Sequence, residues 1–180
     1  MARRPNRATG GKATGREPLW VINGMNNMKL PPDVEFYEDI RLLVWRPHGL
    51  VDKAAVNKII TVIGELETTL KEPFNRFSDT VGADAIDLNF EYIISVSLYR
   101  RRFYGKRPPI KSAILATDAT LIHYAKVHAL LTQGSPINVR VFQDHNEVAQ
   151  WLNVPIERLT PNSVDSETSS FKQSNGSKKS

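Results

Sequence analysis

Ile110-Lys111-Ser112-Ala113-Ile114-Leu115-Ala116-Thr117-Asp118 is the stretch on which the fold turns. Its end, residues 113–116, is an unbroken apolar run, the pattern of a strand covered on both faces and therefore interior to a sheet. Asp118 directly after it is a good N-cap, so the strand feeds a helix that runs to about Gln133, where Gly134 and Pro136 break the chain. Beyond the break, Ile137, Val139 and Val141 alternate with Asn138 and Arg140, which predicts a half-covered strand nearer the sheet edge. Asp144 and Glu147 form a capping-box pair at the start of a last helix holding Val148, Trp151 and Leu152.

Reading upstream gives the same alternation. Residues 34–37 and 40–45 are two β-prone runs separated by Glu38 and Asp39, read as a hairpin although the usual glycine is missing. Pro47 and Gly49 end the second run. Asp52 caps a helix to about Leu70, in which Val56, Ile59, Ile60, Ile63, Leu66 and Leu70 recur at helical spacing. That stripe requires a flat apolar surface to pack on. After Pro73, residues 74–79 form a short strand with Phe74, Arg76 and Ser78 on one side and Asn75, Phe77 and Asp79 on the other. A second helix begins near Asp87 or Asn89 and ends around residues 103–105, with Phe90, Ile93, Ile94, Ser97 and Leu98 as its expected buried stripe. Pro108 and Pro109 then separate it from the strand at Ile110. The order is β-β-α-β-α-β-α-β-α. It predicts an α/β domain with a mixed, mostly parallel sheet of about five strands and four helices, since strand-helix-strand units make right-handed crossovers.

Composition bounds the classes open to the chain. Its 180 residues suffice for one domain, and 41% hydrophobic with 24% charged residues is a globular composition. The longest apolar runs, such as residues 42–45, fall far short of a membrane span, and no apolar segment follows Arg3 and Arg4 as a secretory signal would require. A cytoplasmic location is the resulting expectation. With no cysteine, thiolate catalysis, disulfides and cysteine-ligated zinc are all excluded. The net charge of +5 suggests a polyanionic partner until it is divided along the chain. Arg3, Arg4, Arg7, Lys12, Arg16 and Lys29 against Glu17 place +5 in residues 1–29, whereas residues 30–159 hold 15 basic and 16 acidic side chains. The basic character belongs to the tails. Residues 1–31 and 160–180 read as polar, largely disordered segments flanking a domain over 32–159, because they have too little to bury to offset ordering entropy. Leu19-Trp20-Val21-Ile22 is an apolar island in the first tail, either docked on the domain as an extra strand or loose.

Several local strings fall in order at these element boundaries: Phe74-Asn75-Arg76-Phe77-Ser78-Asp79, Tyr99-Arg100-Arg101-Arg102-Phe103-Tyr104, Arg107-Pro108-Pro109-Ile110-Lys111-Ser112-Ala113, Val139-Arg140-Val141-Phe142 and Trp151-Leu152. With the element order, residues 34–154 resemble the SpoIIAA-like family of the STAS and CRAL-TRIO type. The resemblance implies a compact binding or regulatory domain on a mixed five-stranded sheet. It does not bring the phosphorylation switch of the anti-anti-sigma members. Those members carry an Asp-Ser pair followed by glycine at the helix start after the third strand, and the matching Gly82-Ala83-Asp84-Ala85-Ile86-Asp87-Leu88-Asn89 has no hydroxyl residue. Ser78 and Thr80 lie just upstream and read as strand-end residues.

The densest charged feature is Arg100, Arg101 and Arg102 with Lys106, Arg107 and Lys111, six cations in twelve residues interleaved with Tyr99, Phe103 and Tyr104. Guanidinium forks and aromatic faces suit phosphate, a lipid headgroup or nucleic acid. Against this, cations in a last helical turn complement the helix dipole, and Arg101 is spaced to lay its stem along the core. His123 and His128 share a helix but stand about 140° apart around it, which argues against a joint metal site and leaves them, with Tyr124, as surface or pocket-rim residues. Asp84, Asp87 and Glu91 read as helix-start carboxylates. No nucleophile elbow, P-loop or dinucleotide fingerprint follows any predicted strand, and Gly10-Gly11-Lys12-Ala13-Thr14-Gly15 has no strand before it.

The expectation is a non-enzymatic domain without cofactor or metal that engages a protein partner or a small apolar or anionic ligand; a homo-oligomer is compatible with it. Candidate ligand contacts are Arg100, Arg101, Arg102, Lys106, Arg107, His123 and Tyr124. The second reading is a peripheral nucleic-acid or anionic-membrane binder using the basic tail and the 100–111 cluster. A cavity lined by the third helix and the Arg100 region favours a ligand, and a filled core with an exposed apolar patch favours a partner.

Overall fold

A computed structural model describes residues 29–105 and 107–160. The tails at 1–28 and 161–180, the island at Leu19 to Ile22 and Lys106 lie outside the described residues. The strands are β1 (Val34–Tyr37), β2 (Leu42–Trp45), β3 (Gly49–Asp52), β4 (Asn75–Asp79), β5 (Ala83–Asp87), β6 (Ile110–Leu115) and β7 (Ile137–Phe142). The helices are α1 (Lys53–Leu70), α2 (Phe90–Tyr104), α3 (Ala119–Leu131) and α4 (His145–Leu152), followed by a single 3₁₀ turn at Ile156–Arg158.

The main sheet has five strands in the order β1-β2-β4-β6-β7, with β1 antiparallel to β2 and every other pair parallel. This is the mixed sheet expected from the sequence. The unbroken apolar strand β6 has neighbours on both sides, and the alternating β7 is an edge. The β1–β2 hairpin manages without glycine because Arg41, just before β2, takes the left-handed conformation at φ 50°.

Each helix starts where a polar cap can accept its orphan amides. Asp52, Asn89 and Asp118 accept from the N–H groups of Ala55, Tyr92 and Leu121, and Asp144 accepts from those of Asn146 and Glu147. Helix α1 ends before Pro73, at Lys71, whose φ of 56° turns its amide back to the Glu67 carbonyl.

Helices α1, α2 and α3 cover one face of the sheet and α4 covers the other. On the α4 face, Leu42, Val44, Phe77, Ala113 and Leu115 pack with Val148, Leu152 and Leu159. On the α1 face, Leu43, Trp45 and Phe74 pack with Ile59, Val62, Ile63 and Leu66. Ile110, Ile137 and Val139 with Tyr104 complete that side near α2 and α3.

Two expectations need correction. Residues 83–87 are not the approach to a helix: they form β5, which pairs in parallel with β3 as a separate two-stranded sheet, so Asp84 and Asp87 sit on a strand. This pairing is nonlocal and has only one mostly buried apolar residue, Val51, to announce it. The second correction concerns α2. Ile93, Val96, Ser97, Arg100 and Tyr104 face inward, while Phe90 and Leu98 are 48% and 50% exposed and Arg101 is exposed rather than laid along the core. The physical reason is that the inward polar residues of α2 have buried partners, which apolar periodicity does not register.

Candidate functional site: an apolar cavity with a cationic floor

The floor of the site comes from sheet register. Leu43 of β2, Arg76 of β4 and Ser112 of β6 form one cross-strand row, and Trp45, Ser78 and Ile114 form the row two residues on. All six line a cavity of about 110 Å³ beneath the three helices. Its walls are Val56, Ile59, Ile60 and Ile63 of α1, Ile93, Val96 and Arg100 of α2, and Leu121, Tyr124, Ala125 and His128 of α3. The alternation of β4 directs Arg76 into this face and Phe77 into the opposite core.

Arg76 is 2% exposed at the middle strand of the sheet. Its Nη2 donates to Glu67 Oε1 on α1 and to the Tyr104 hydroxyl on α2. The Tyr104 hydroxyl donates in turn to Glu67 Oε1 at 2.7 Å, and Arg107 donates to the other Glu67 oxygen from the solvent side. The guanidinium also lies 4.9 Å from the Tyr104 ring centroid and 5.5 Å from that of Phe74. Its Nε and Nη1 are buried and meet no acceptor among the described residues.

A second cluster joins α2 to α3. Ser97 Oγ donates to the Ile93 carbonyl at 2.6 Å, so its contact with His128 Nδ1 at 2.7 Å is satisfied by an N–H on that nitrogen. Nε2 of His128 is then the acceptor, and Arg100 Nη1 stands 3.2 Å from it as donor. The ring is thus neutral. Burial, with the Arg100 charge adding to it, lowers the His128 pKa to about 3. Burial and the nearby Arg76 charge likewise lower Arg100 to about 10. Among the described residues no carboxylate lies within ion-pair distance of Arg100.

The sequence candidates are dispersed by this geometry. Arg100 and Tyr124 line the cavity. Arg101, Arg102 and His123 are exposed on helix surfaces. Arg107 is spent on Glu67 and stacks over the Phe103 ring at 4.0 Å, and Lys106 lies outside the described residues. Lys111 reaches across the other face to the Trp151 carbonyl at 2.6 Å. Among the described residues the cations of the run therefore do not form one patch, because helical rotation and strand alternation send them in different directions. His128, placed by sequence at a surface or pocket rim, is instead 7% exposed within the cavity wall.

Sequence reasoning gave Arg76 and Glu67 no role at a site, placed Ser97 only in a buried stripe and read Tyr104 only as an aromatic beside the cation cluster. The signal for Arg76 was a charged residue on the same strand side as Phe74, which requires either an exposed face or a buried partner. On the opposite side of the sheet His145 Nε2 and Asp79 Oδ2 are 2.9 Å apart, a pair that ties α4 to the end of β4. Among the described residues no group of three or more His, Asp or Glu side chains is placed to hold a metal ion, and no helix is long and apolar enough to cross a membrane.

No family model and no curated protein matches the chain. Among solved structures, the chain is similar to an uncharacterized protein of the DUF3478 family with a SpoIIAA-like fold from Shewanella loihica PV-4. The identity is 15%, the TM-score 0.45, and the match covers 66% of this chain and 90% of that one. The likeness is one of fold.

Proposed function

We propose that this is a non-enzymatic binding domain whose ligand is a small, largely apolar molecule held between the sheet and α1, α2 and α3. The observation that carries the reading is the cavity, with aliphatic walls and few, convergent polar groups. Such sites are where small molecules are bound, because apolar burial supplies affinity and sparse polar groups supply orientation. Its volume of about 110 Å³ approaches that of the roughly 150 Å³ apolar cavity known to take a benzene ring, so the ligand portion enclosed is of about six heavy atoms. The dispersal of the 100–111 cations supports this reading over a phosphate-backbone or membrane interface, which requires cations on one face.

Isothermal titration of the full chain with 1-hexanol tests the proposal. Saturable one-to-one binding is expected in the wild type. In Ala125→Leu, whose added side chain grows into the cavity from α3, it is expected to be lost while the thermal midpoint holds or rises. Equal hexanol binding by both proteins would place the ligand elsewhere and end the proposal.

A further inference from the structure

Resting on that cavity reading, we infer that the ligand carries a single carboxylate, seated on Arg76 and Arg100, with its apolar end against the aliphatic side chains of α1 and α3. Two features converge on this. Arg76 is almost fully buried, lines the cavity and has two donors, Nε and Nη1, that meet no acceptor among the described residues. Buried guanidinium donors left without acceptors are costly, and a ligand anion removes that cost. Arg100 lines the same cavity, and its hydrogen bond goes to an uncharged ring rather than to a carboxylate. That bond positions the guanidinium without neutralising it.

The charge balance selects the kind of anion. The cavity side carries the buried Arg76 and the half-buried Arg100 against Glu67, with Arg107 outside on the solvent-facing oxygen of Glu67, where water screens it. The cavity is left with one positive charge that no carboxylate among the described residues pairs, that of Arg100, which a monoanion neutralises. A phosphate dianion overshoots it. Ser112, beside Arg76 in register, and Ser78 add hydroxyls along the cavity floor, short donors suited to a small planar head. Away from the arginines, Val56, Ile59, Ile60, Leu121 and Ala125 make an aliphatic stretch of wall beside Tyr92 and Tyr124, so the ligand is amphipathic: one charged end, one largely apolar end.

The experiment compares hexanoate, 1-hexanol and inorganic phosphate by calorimetric titration into the full chain at pH 7.5. Hexanoate is expected to bind tighter than hexanol by a factor on the order of ten to one hundred, the worth of a charge-assisted hydrogen bond. Arg100→Met and Arg76→Met are expected to erase that preference, read as the ratio of hexanoate to hexanol affinity within each variant. Arg100→Lys should retain part of it. Thermal melting checks each variant; if Arg76→Met does not fold, Arg100→Met and Arg100→Lys decide alone. Hexanol binding as tightly as hexanoate in the wild type overturns the carboxylate and leaves the cavity reading standing. Binding of neither overturns both, and phosphate binding as tightly as hexanoate overturns the assignment of a monoanion with an apolar end.

Discussion

His128 shows how much one residue's role depends on its surroundings. On sequence it stands on a helix with another histidine and no partner in sight; in the fold it is wedged between Ser97 and Arg100 and cannot carry a proton without facing the Arg100 guanidinium. Its pKa falls from 6.5 to about 3, so between those values the unfolded chain binds a proton that the folded chain refuses. Stability tied to this ring is fully present above about pH 6.5 and is lost as pH falls toward 3. Lowering the pH from 7.5 to 5.0 should therefore cost about 2 kcal/mol through His128 alone. Urea unfolding of wild type and His128→Gln at the two pH values checks this: the wild type should lose more stability than the variant by about that amount, and parallel losses would contradict the buried neutral ring. Of the site, Arg100 and Tyr124 were legible in the sequence, and the network behind them was not, for the same reason. Arg76 is 9 residues from Glu67 and 28 from Tyr104, and Tyr104 is 37 from Glu67; only sheet register and helix packing bring Arg76 and Tyr104 to the one carboxylate of Glu67.

At the level of elements, caps and strand alternation were readable because they are local. Asp52, Asp118 and Asp144 cap the helices they were expected to cap, and Phe74, Arg76 and Ser78 were correctly separated from Phe77 and Asp79. The β3–β5 pair was not readable, since its two strands find each other across α1 and β4. Nor was the orientation of α2, whose inward face mixes Ile93 and Val96 with Ser97, Arg100 and Tyr104. An apolar stripe is a proxy for burial that fails when polar residues are buried in pairs. The failure yields an inverted expectation. Leu98→Lys, a severe change by hydropathy, should alter stability by no more than about 0.5 kcal/mol, as an exposed position does. Tyr104→Phe, mild by hydropathy, should cost about 1 to 3 kcal/mol because it removes a hydrogen-bond partner from both Arg76 and Glu67. Chemical denaturation of the two variants gives the order directly, and a larger loss in Leu98→Lys would restore the original stripe.

Across the whole molecule the sheet separates two interiors of different character. The α4 side is a dry aliphatic and aromatic core in which Leu42, Val44, Phe77, Ala113, Val148 and Leu159 are wholly buried, and the α1–α3 side holds the cavity with its arginines. This division follows from the row of β4, where Phe77 and Arg76 point opposite ways. The C-terminal end of the fold belongs to the dry side: Leu159 is 0% exposed, and its carbonyl and that of Arg158 accept from Arg46 beside β2. Stability and ligand binding should therefore be separable by choosing the side of the sheet. Leu159→Ala removes a fully buried side chain and should cost roughly 2 to 5 kcal/mol. Because the sheet stands between it and the cavity, hexanol affinity of the folded fraction should be unchanged below the new melting point. Calorimetric titration at 10 °C, with the folded fraction fixed by circular dichroism, measures the two effects apart. A drop in affinity of tenfold or more in a protein that remains folded would mean that the α4 core sets the geometry of the cavity, and the two faces would have to be treated as one coupled interior.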